Sequence, residues 1–544
     1  MNPHAPRIRD AGDSALLIEW DEAIDPDINA RAIATAAAVR EAAVAGLRDV
    51  ISTYRSVAVF FDPLKVEPDT LRAVLTRLSG EPKHVVRGKT VEVPITYGGE
   101  GGPDLAAVAE WAKLSAAAVI ERHAGPDYRV FMLGFLPGFA YLGSVDATIA
   151  APRRSTPRVR VPAGSVGIAG RYTGVYPRES PGGWQLIGLS ALKVFDVTRA
   201  QPSLFAAGDV VRFRPMPSQV TATDNAEPRP GETRTESSRA VTVLRAGLFT
   251  TIQDRGRWGQ QASGVPVSGA MDLVSHRTAN LLVGNGPDAA TLEVTLVGPE
   301  LRLEQETQLA LAGADLQPSI DGVPVPLGVA TRCRAGSVLR FAGRRSGARA
   351  YIAFDGGIDT PVTFGSRATH TGAALGGIDG RSLAAGDRLP LGDSVDRQPI
   401  RPLGSREIPS GGVRLRILPG PQDEFFSESA FTLLERTRFA VTPQSNRMGY
   451  RLSGASIPRT TDREMISDAT FVGAIQVPPS GEPILLMSDR QTTGGYPQMA
   501  TVITADLPLA GQLAPGDWVE FARCTRAEAI AALRDQEAML GGLV

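Results

Sequence analysis

Two glycine-rich segments, one in each half of the chain, carry the residue types best suited to bind a ligand. The first is Gly134–Tyr141, and a related turn follows at Gly182–Trp184. The second is Thr493–Tyr496, which reads Thr-Gly-Gly-Tyr. Glycine at such turns lets the backbone approach a ligand closely. We expect the turns at Gly182–Gly183 and Gly494–Gly495, with their neighbouring charges, to face one cleft between the two halves, since neither half alone has a complete set of site groups.

Charged residues stand beside both segments. Four arginines lie between Arg153 and Arg160, just before the turn at Val161, and Asp489 and Arg490 precede the second segment. Cations bind phosphate, and a carboxylate orients water or a metal ion. These groups suit a site that binds an anionic ligand. A solvated charged face is the plainer interpretation of the arginines.

Three residues are our candidates for catalysis: Asp254, Asp489 and His123. We expect Asp489 to be solvated, so that its replacement by alanine removes activity with little change in melting temperature. The ligands of any metal ion stay unknown. The candidates for binding substrate or nucleotide are Gly134, Pro137, Gly138, Tyr141, Arg153, Arg158, Gly182, Gly183, Trp184, Gln253, Asn285, Arg447, Gln491, Gly494, Gly495 and Tyr496.

Several candidates also have a structural interpretation. Asp254 stands beside two arginines and suits an ion pair in a loop. His123, near the end of a predicted helix, suits packing or capping as well as proton transfer. Asn285 follows a glycine and suits a helix C-cap. Gly182–Trp184 suits a tight turn with a core tryptophan. The sequence leaves these alternatives open.

Composition and missing motifs exclude several classes of protein. No P-loop pattern, protein-kinase motif set, GxSxG elbow or HExxH zinc motif occurs. The net charge of −1 gives no reason to expect nucleic acid as a partner. No apolar run is long enough for a membrane span, and no signal sequence opens the chain. The only cysteines, Cys333 and Cys524, lack the spacing of a disulfide framework or zinc site, so we expect a cytoplasmic protein.

The first part of the chain alternates between predicted strands and helices. Paired strands are expected within Arg7–Trp20, followed by a helix over Ala30–Ala45. A strand over Val50–Phe61, a helix over Asp69–Leu78 and a strand over Thr90–Tyr97 come next. This order predicts a small α+β unit.

The rest of the chain is predicted to be mostly β. Two short helices within Pro103–Ala124, capped by Asp104 and Ser115, precede strands that run to Pro215. Met216–Arg239 has no periodicity and is predicted to be a linker. Helices are expected at Ser275–Val283 and, after a capping box at Thr525, near the C-terminus. Gly-Asp turns that start strands recur at Gly208 and Gly516, which indicates related barrel modules.

Longer motifs give the chain a family resemblance. Gly134–Tyr141, Val161–Gly170 and Tyr176–Trp184 resemble the 5-oxoprolinase B family, which is also called allophanate hydrolase subunit 1 or the Kip inhibitor. The second half resembles the 5-oxoprolinase C family, which is carboxyltransferase-like, at Gln253–Arg257, Gly264–Asp272, Asn280–Asn285, Ser445–Arg451 and Asp489–Pro497.

The resemblance implies a fold that is mainly β, with an α+β N-terminal unit and cyclophilin-like β-barrel modules in both halves. Two of these barrels are expected in the second half. We expect an α+β unit at 1–88, a barrel at 89–215, a linker at 216–239, a first barrel of the second half at 240–400 and a second barrel, with a C-terminal helix, at 401–544.

The resemblance also implies a function. The chain would be the fused B and C part of an ATP-hydrolysing 5-oxoprolinase, which opens the lactam 5-oxoproline to glutamate together with a separate protein of the 5-oxoprolinase A type. ATP is the expected cofactor and Mg²⁺ a candidate ion. The expected partners are this A-type protein and a small amide or lactam, with neither nucleic acid nor membrane, and homo-oligomer formation stays open.

Two alternatives come from the same families. The chain could be a carboxyltransferase component that acts on urea or a related amide. It has no biotin attachment site, because the nearest string to the Ala-Met-Lys turn of a carrier is Ala538–Leu540, which lacks lysine. The Kip name implies a regulatory inhibitor of a sensor histidine kinase. A fused antagonist would make a poor switch, because a short linker holds the halves at millimolar effective concentration.

Overall fold

The fold is mainly β, with one closed seven-stranded barrel in each half. The computed structural model describes residues 6–80, 88–217, 239–394 and 408–541. The fold class expected from the sequence is confirmed, whereas the domain boundaries stay a prediction. The predicted linker lies almost wholly outside the described residues, as does the predicted boundary at residues 400 and 401.

The N-terminal unit is a four-stranded antiparallel sheet covered by two helices. Its strands, in spatial order, are Arg7–Asp10, Ala15–Glu19, Ser56–Phe61 and Leu47–Ser52, and its helices are Pro26–Glu41 and Pro68–Gly80. The single strand predicted over Val50–Phe61 was wrong, because the chain turns back at Tyr54 to form a hairpin.

The first barrel closes around an apolar core. Its strands, in spatial order, are Tyr172–Val175, Ala140–Gly143, Asp127–Leu133, Val210–Pro215, Thr90–Tyr97, Gln185–Leu189 and Ser165–Ala169. The strand Thr90–Tyr97 has the predicted bounds. Arg158–Val161 and Ser180–Gly182 form a separate two-stranded ribbon.

The two predicted helices are confirmed as Leu105–Ala112 and Ala116–Ala124, which lie between the first strand of this barrel and the strand Asp127–Leu133. Ser115 caps the second helix, since its Oγ accepts from the amide of Ala118 at 3.1 Å. Asp104 makes no capping hydrogen bond. Its carboxylate accepts from the amide of Leu186 at 2.7 Å instead, which fixes the helix to the barrel.

The first part of the second half consists of two sheets around one core, and the barrel expected there is not formed. The helix Leu273–Leu282 packs on the five-stranded one of these two sheets. The six-stranded sheet contains Val323–Pro324, Pro318–Ile320, Val338–Phe341, Glu300–Leu303, Ala240–Arg245 and Arg388–Pro390. The five-stranded sheet contains Phe249–Gln253, Thr291–Thr295, Ser346–Phe354, Thr307–Asp315 and Ala330–Cys333.

The second barrel contains, in spatial order, Gly412–Pro419, Gln498–Val502, Ala474–Gln476, Ile484–Leu486, Gly449–Ser453, Phe439–Val441 and Trp518–Arg523. Its helices are Glu428–Arg436, Leu507–Ala510 and Arg526–Gly541. Asp468–Ala469 pairs with Thr493–Gly494 in a short ribbon. The capping box is confirmed by reciprocal bonds between Thr525 and Glu528.

The two barrels share one topological detail. In the first, Val210–Pro215 runs parallel to Thr90–Tyr97, the first strand of that barrel. In the second, Trp518–Arg523 runs parallel to its first strand, Gly412–Pro419. Both of these late strands start just after a Gly-Asp turn. The repeated turn therefore marks equivalent strands of related modules.

The N-terminal sheet packs directly against the second half. Ala58 and Phe60 lie in one apolar cluster with Phe471 and Leu486. The amide of Thr504 donates to the carboxylate of Asp13 at 2.9 Å. The first and last quarters of the chain are therefore in contact. Within the described residues, no helix is long and apolar enough to cross a membrane.

Candidate active site between the two halves

The first glycine-rich segment contacts the second at Gly134 and Thr493, whereas a shared cleft for the turns at Gly182 and Gly494 stays a prediction. A Cβ atom on Gly134 would lie 2.0 Å from Oγ1 of Thr493. The amide of Gly138, at a φ of +80°, donates to the carbonyl of Ser263 at 2.9 Å. Pro137, between Gly134 and Gly138 in the sequence, is buried. We call the contact zone of Gly134–Tyr141 with Thr493–Tyr496 the inter-half cleft.

Aromatic rings form one wall of the inter-half cleft. Trp184 is 6% exposed and stands edge-on to Phe139, Tyr141 and Tyr176 at centroid distances of 5.3, 6.3 and 6.3 Å. A Cβ on Gly182 would lie 2.5 Å from the Tyr176 hydroxyl. The carbonyl of Gly183 accepts from the amide of Arg154 at 2.8 Å. The structural interpretation of this turn is therefore supported, and the turn holds the aromatic wall in place.

Tyr54, which sequence reasoning missed, reaches this wall from the N-terminal unit. Its ring lies 5.2 Å from Phe131, 6.3 Å from Tyr141 and 5.5 Å from Tyr172. The Tyr54 hydroxyl is fully buried and completes no hydrogen bond within the described part of the chain, although Tyr172 stands beside it. Burial raises the pKa of Tyr54 well above its ordinary value.

The hairpin turn that carries Tyr54 is tied to the second glycine-rich segment. The side chains of Thr53 and Ser56 both donate to Oδ1 of Asp468, the former at 3.2 Å. Asp468 pairs with Gly494 across the two-stranded ribbon. The only sequence signal for this turn was an interruption of the apolar run at Thr53–Ser56, without the glycine or proline that usually marks one.

The arginine group is mostly paired. Arg154 and Arg158 donate to Oδ1 of Asp104 at 3.2 and 2.7 Å, and Arg160 pairs with Glu179. Arg158, which we expected to supply charge to the site, is therefore neutralised in part by Asp104.

Arg153 differs from its neighbours because it is exposed and has no ion pair among the described residues. Burial raises the pKa of Tyr141, Tyr172 and Tyr176, and the positive charge of Arg153 partly opposes this effect on each. The pKa of Tyr141 is raised to about 12 by burial, against the opposing effects of the Thr493 hydroxyl and Arg153. Arg153 is thus the cation of this group that a ligand in the cleft can approach.

A buried charge network lies beneath the second segment. Arg447 donates from Nε to Oδ2 of Asp489 at 2.9 Å and from Nη2 to the carbonyl of Gly269 at 2.6 Å. Nη1 of Arg447 pairs with Glu293. The hydroxyl of Ser268 donates to Oδ1 of Asp489 at 2.7 Å. Asp489 is only 5% exposed, so the expectation that it is solvated was wrong.

The electrostatics of this network favour charged side chains. Burial tends to raise the pKa of Asp489, but the charge of Arg447 and the hydrogen bonds that it donates outweigh this effect and lower that pKa. Burial tends to lower the pKa of Arg447, but Asp489 and Glu293 outweigh it and raise that pKa. An ionised Asp489 with a lowered pKa is a weak proton acceptor, so it suits charge stabilisation better than base catalysis.

Asp254 lies at the edge of the same region. Its Oδ1 accepts from the amide of Gly256 at 2.8 Å and from the hydroxyl of Ser366 at 2.6 Å. Its Oδ2 accepts from the amide of Arg367 at 2.6 Å. These neutral donors, rather than the ion pair considered from the sequence, hold the carboxylate. Asp254 lines a cavity of about 580 Å³.

Gln253 and Arg257 flank Asp254 and are fully buried. The side-chain amide of Gln253 donates from Nε2 to the carbonyl of Thr369 at 3.0 Å. Arg257 donates to the carbonyl of Ala368. Oε1 of Gln253 and Nε and Nη1 of Arg257 make no hydrogen bond within the described residues. Both side chains therefore brace the loop that holds Asp254 with part of their hydrogen-bonding capacity unused.

His123 lies apart from the inter-half cleft, in the core of the first barrel. Its ring is stacked on Phe213 at 4.6 Å and is 0% exposed. Nε2 lies 2.8 Å from the hydroxyl of Thr173, which itself donates to the carbonyl of Gly167, so Nε2 carries the proton. Nδ1 accepts from Tyr97 at 2.7 Å. Burial lowers the pKa of His123 to about 3, which supports the packing interpretation.

The remaining candidates fall in separate places. Nδ2 of Asn285 donates to the carbonyl of Phe354 at 2.8 Å, and its Oδ1 accepts from the amide of Gly356 at 2.9 Å, which is a structural role. Gln491 and Gly495 lie partly or fully exposed along the second segment. Tyr496 is 44% exposed and lines a second cavity of about 350 Å³. No metal-binding cluster of His, Cys, Asp or Glu is found among the described residues.

Comparison with protein families defines the class of this chain. Residues 6–205 match the carboxyltransferase domain, subdomain C and D, and residues 263–523 match the carboxyltransferase domain, subdomain A and B. The two barrel-containing halves that meet at the inter-half cleft are therefore the two parts of a carboxyltransferase-type protein.

The chain belongs to the family of the B and C subunits of 5-oxoprolinase, fused in one polypeptide. It is 41% identical over 301 residues to the 5-oxoprolinase C protein of Escherichia coli (strain K12), across 55% of this chain and 95% of that protein. It is 41% identical over 219 residues to the 5-oxoprolinase B protein of Bacillus subtilis (strain 168), across 38% of this chain and 91% of that protein.

The fused architecture also occurs in a solved structure. The crystal structure of TTHA0988 has a TM-score of 0.84 and 36% identity, and the match covers 95% of this chain and 100% of that one. Urea amidolyase of Saccharomyces cerevisiae (strain ATCC 204508 / S288c) is 32% identical over 307 residues, across 52% of this chain and 16% of that protein.

Proposed function

We propose that this chain is the B and C component of an ATP-dependent 5-oxoprolinase and works with a separate partner of the 5-oxoprolinase A type. One lactam, one ATP and two waters give glutamate, ADP and phosphate. The observation that carries the proposal is the contact of Gly134 with Thr493, which brings the B-type and C-type motifs into one site.

The inter-half cleft offers groups that suit a small anionic lactam. Arg153 supplies an exposed cation for a carboxylate or phosphate. Tyr54 and Thr493 supply buried hydroxyls, which lie beside the hydroxyls of Tyr172 and Tyr141 respectively. A site with such polar groups binds a matching ligand strongly and rejects analogues that lack the partner atoms. We assign substrate binding to this cleft.

The carboxylates support separate roles in this proposal. Asp489, which forms an ion pair with Arg447, holds the second segment in place as a fixed, ionised carboxylate below it. Asp254, which is held by neutral donors at the edge of a cavity, is the carboxylate that we assign to orienting water or a magnesium ion. Cytoplasmic location and the need for an A-type partner belong to the same proposal.

Reconstitution tests the function. The purified chain, mixed with an A-type partner from the same organism, ATP and 5-oxoproline, should form glutamate and ADP in equal amounts. The chain alone should form neither product at a comparable rate. The proposal fails if an authenticated partner gives no glutamate while the chain supports biotin-dependent carboxylation of urea.

The carboxyltransferase alternative is favoured by one observation, the match to urea amidolyase over half of this chain. It predicts that urea, presented with a carboxybiotin carrier protein, is carboxylated and that 5-oxoproline is not consumed. The reconstitution with both substrates therefore decides between the two functions. Inhibition of a sensor kinase stays a prediction of the family name and is tested by loss of kinase autophosphorylation on addition of the chain.

A further inference from the structure

A cavity of about 580 Å³ lies between the N-terminal unit, the second half and the C-terminal helix. Phe60, Trp258 and Phe471 line it, and their rings are in contact, with centroids 6.1 Å apart for Phe60 and Trp258 and 5.4 Å apart for Phe60 and Phe471. Cavities of this size hold ligands as large as a nucleotide. A single five-membered lactam ring would leave most of it empty.

Most charges in the wall of this cavity neutralise one another. Three arginines of the wall each form an ion pair with a carboxylate, so these arginines offer little net charge to a ligand. The pairs are Arg48 with Asp62, Arg255 with Asp288 and Arg277 with Glu537.

Two cations of the wall have no carboxylate at ion-pair distance among the described residues: Lys65, which is exposed, and the buried Arg490. Arg490 is 2% exposed and lines the cavity. Its Nε donates to the carbonyl of Thr470 at 3.2 Å, and Nη2 donates to Oε1 of Gln261 at 2.9 Å. Buried charges are ordinarily paired, because an unpaired one costs several kcal/mol. Arg490 therefore suits an anionic ligand in this cavity.

A contact between the halves holds Arg490 in position. The Oδ2 atom of Asp49, in the N-terminal unit, accepts from the amide of Gly259 at 2.8 Å and from Nε2 of Gln261 at 3.2 Å. These bonds leave Oε1 of Gln261 facing Arg490. The guanidinium is thus oriented by residues of both halves and keeps part of its hydrogen-bonding capacity for a ligand.

We propose that this cavity binds the ATP of the reaction, with the base against the aromatic rings of Trp258 and Phe60 and a phosphate on Arg490. The assignment rests on the proposed function, since it places the nucleotide of that same reaction. Stacking on aromatic rings tolerates any base, whereas a guanidinium binds phosphate with two parallel hydrogen bonds. The chain has no P-loop, so a site of this unconventional kind fits its sequence.

The cavity lies close to the inter-half cleft along the chain. Arg490 in the cavity wall is three positions before Thr493 in the cleft. Their Cα atoms are at most about 11 Å apart, because an extended chain spans no more than about 3.6 Å per residue. A nucleotide in the cavity and a lactam in the cleft would therefore share one short segment.

Equilibrium dialysis of the full chain with ATP and magnesium tests this proposal. We expect Arg490→Gln to weaken ATP binding at least about tenfold and Trp258→Ala to weaken it several-fold. Arg451→Gln is the matched control, because Arg451 is exposed and lines the smaller cavity. It should leave ATP binding unchanged. Binding of ATP should also change the fluorescence of the unaltered chain but not that of Trp258→Phe.

Two variants keep the test decisive. Trp258 is only partly buried, so Trp258→Ala should fold even if Arg490→Gln does not. The proposal is overturned if neither variant weakens ATP binding, if the chain binds no ATP alone or with its partner, or if Arg490→Gln weakens 5-oxoproline binding instead. Glutamate formation without these effects would leave the proposed function intact. ATP binding that obeys the prediction, without glutamate formation, would overturn the function alone.

Discussion

Gly134 of the first half and Thr493 of the second approach so closely that a Cβ atom on Gly134 would lie 2.0 Å from Oγ1 of Thr493. It would also lie 2.8 Å from Cβ of Thr493, which a rotation of the side chain cannot move away. The two halves therefore contact one another at a point where the first has no room for a side chain.

Gly134→Ala should push the halves apart. We expect a loss of about 1–3 kcal/mol in the free energy of unfolding, and a larger loss of activity in the reconstituted enzyme. Adding Thr493→Ala should recover part of the stability, because residues in contact are coupled. Gly286→Ala is the control, since a Cβ there meets nothing within 4 Å. Equal stability of Gly134→Ala and Gly286→Ala in urea would contradict the contact.

Asp489→Ala should be strongly destabilising. It removes one of two carboxylates from the buried Arg447, which costs about 3–5 kcal/mol. Asp288→Ala, in an exposed ion pair, should cost less than about 1 kcal/mol. Because the folded pKa of Asp489 is lowered, its contribution is present above the unfolded pKa of about 3.9 and is lost as the pH falls through the folded value. Urea unfolding at neutral and acidic pH measures both effects.

His123 should make the chain less stable in mild acid. Its pKa is about 3 when folded and about 6.5 when unfolded, so below pH 6.5 the unfolded state binds a proton that the folded state does not. The contribution is therefore fully present above pH 6.5 and is lost as the pH falls toward 3. Relative to His123→Gln, the unaltered chain should lose about 2 kcal/mol more between pH 6 and 4. Parallel pH profiles of the two proteins would contradict this assignment.

Tyr54→Phe should weaken substrate binding and leave the stability of the chain nearly unchanged. The Tyr54 hydroxyl is buried and lies beside that of Tyr172 without a short hydrogen bond, so its removal should lower the melting temperature little. If the hydroxyl contacts substrate, KM should rise about fivefold or more, as for loss of one hydrogen bond. Tyr128→Phe is the converse control, because the Tyr128 hydroxyl donates to the carbonyl of His123 at 2.8 Å. It should lower stability and leave KM unchanged.

Arg153→Ala should reduce activity without reducing stability. The side chain is exposed and unpaired among the described residues, so folding gains little from it. Loss of a charge-assisted contact to an anionic substrate should raise KM about tenfold. Arg160→Ala, which breaks an exposed pair with Glu179, is the matched control and should change neither quantity much. Similar kinetics of the two variants would remove Arg153 from the site.

Features with a local cause could be predicted from the sequence. The strand Thr90–Tyr97 has an apolar alternation and was predicted with its observed bounds. The capping box at Thr525 needs only two side chains three positions apart. The sequence also marked both segments as rich in the glycine that a close approach requires, although the pairing of Gly134 with Thr493 was not predicted.

Features that depend on remote partners could not be predicted. Arg447 takes its charge partners from Glu293 and Asp489, and Glu293 lies 154 positions away in the sequence. Nothing near Asp489 in the sequence shows that it is buried. The turn at Tyr54 was missed because an apolar hairpin without glycine has the same composition as one long strand.

The packing of the N-terminal sheet on the second half has a consequence for synthesis of the protein. One apolar face of this sheet, with Ala15, Ala58 and Phe60, packs against Phe471 and Leu486, which follow roughly 400 residues later. At about 5–20 residues per second, a ribosome needs roughly 20–80 s to make that stretch. An apolar sheet face is uncovered throughout this interval, and such surfaces aggregate. In the fused chain the length of this interval is set by the rate of synthesis, because the covering residues follow on the same polypeptide.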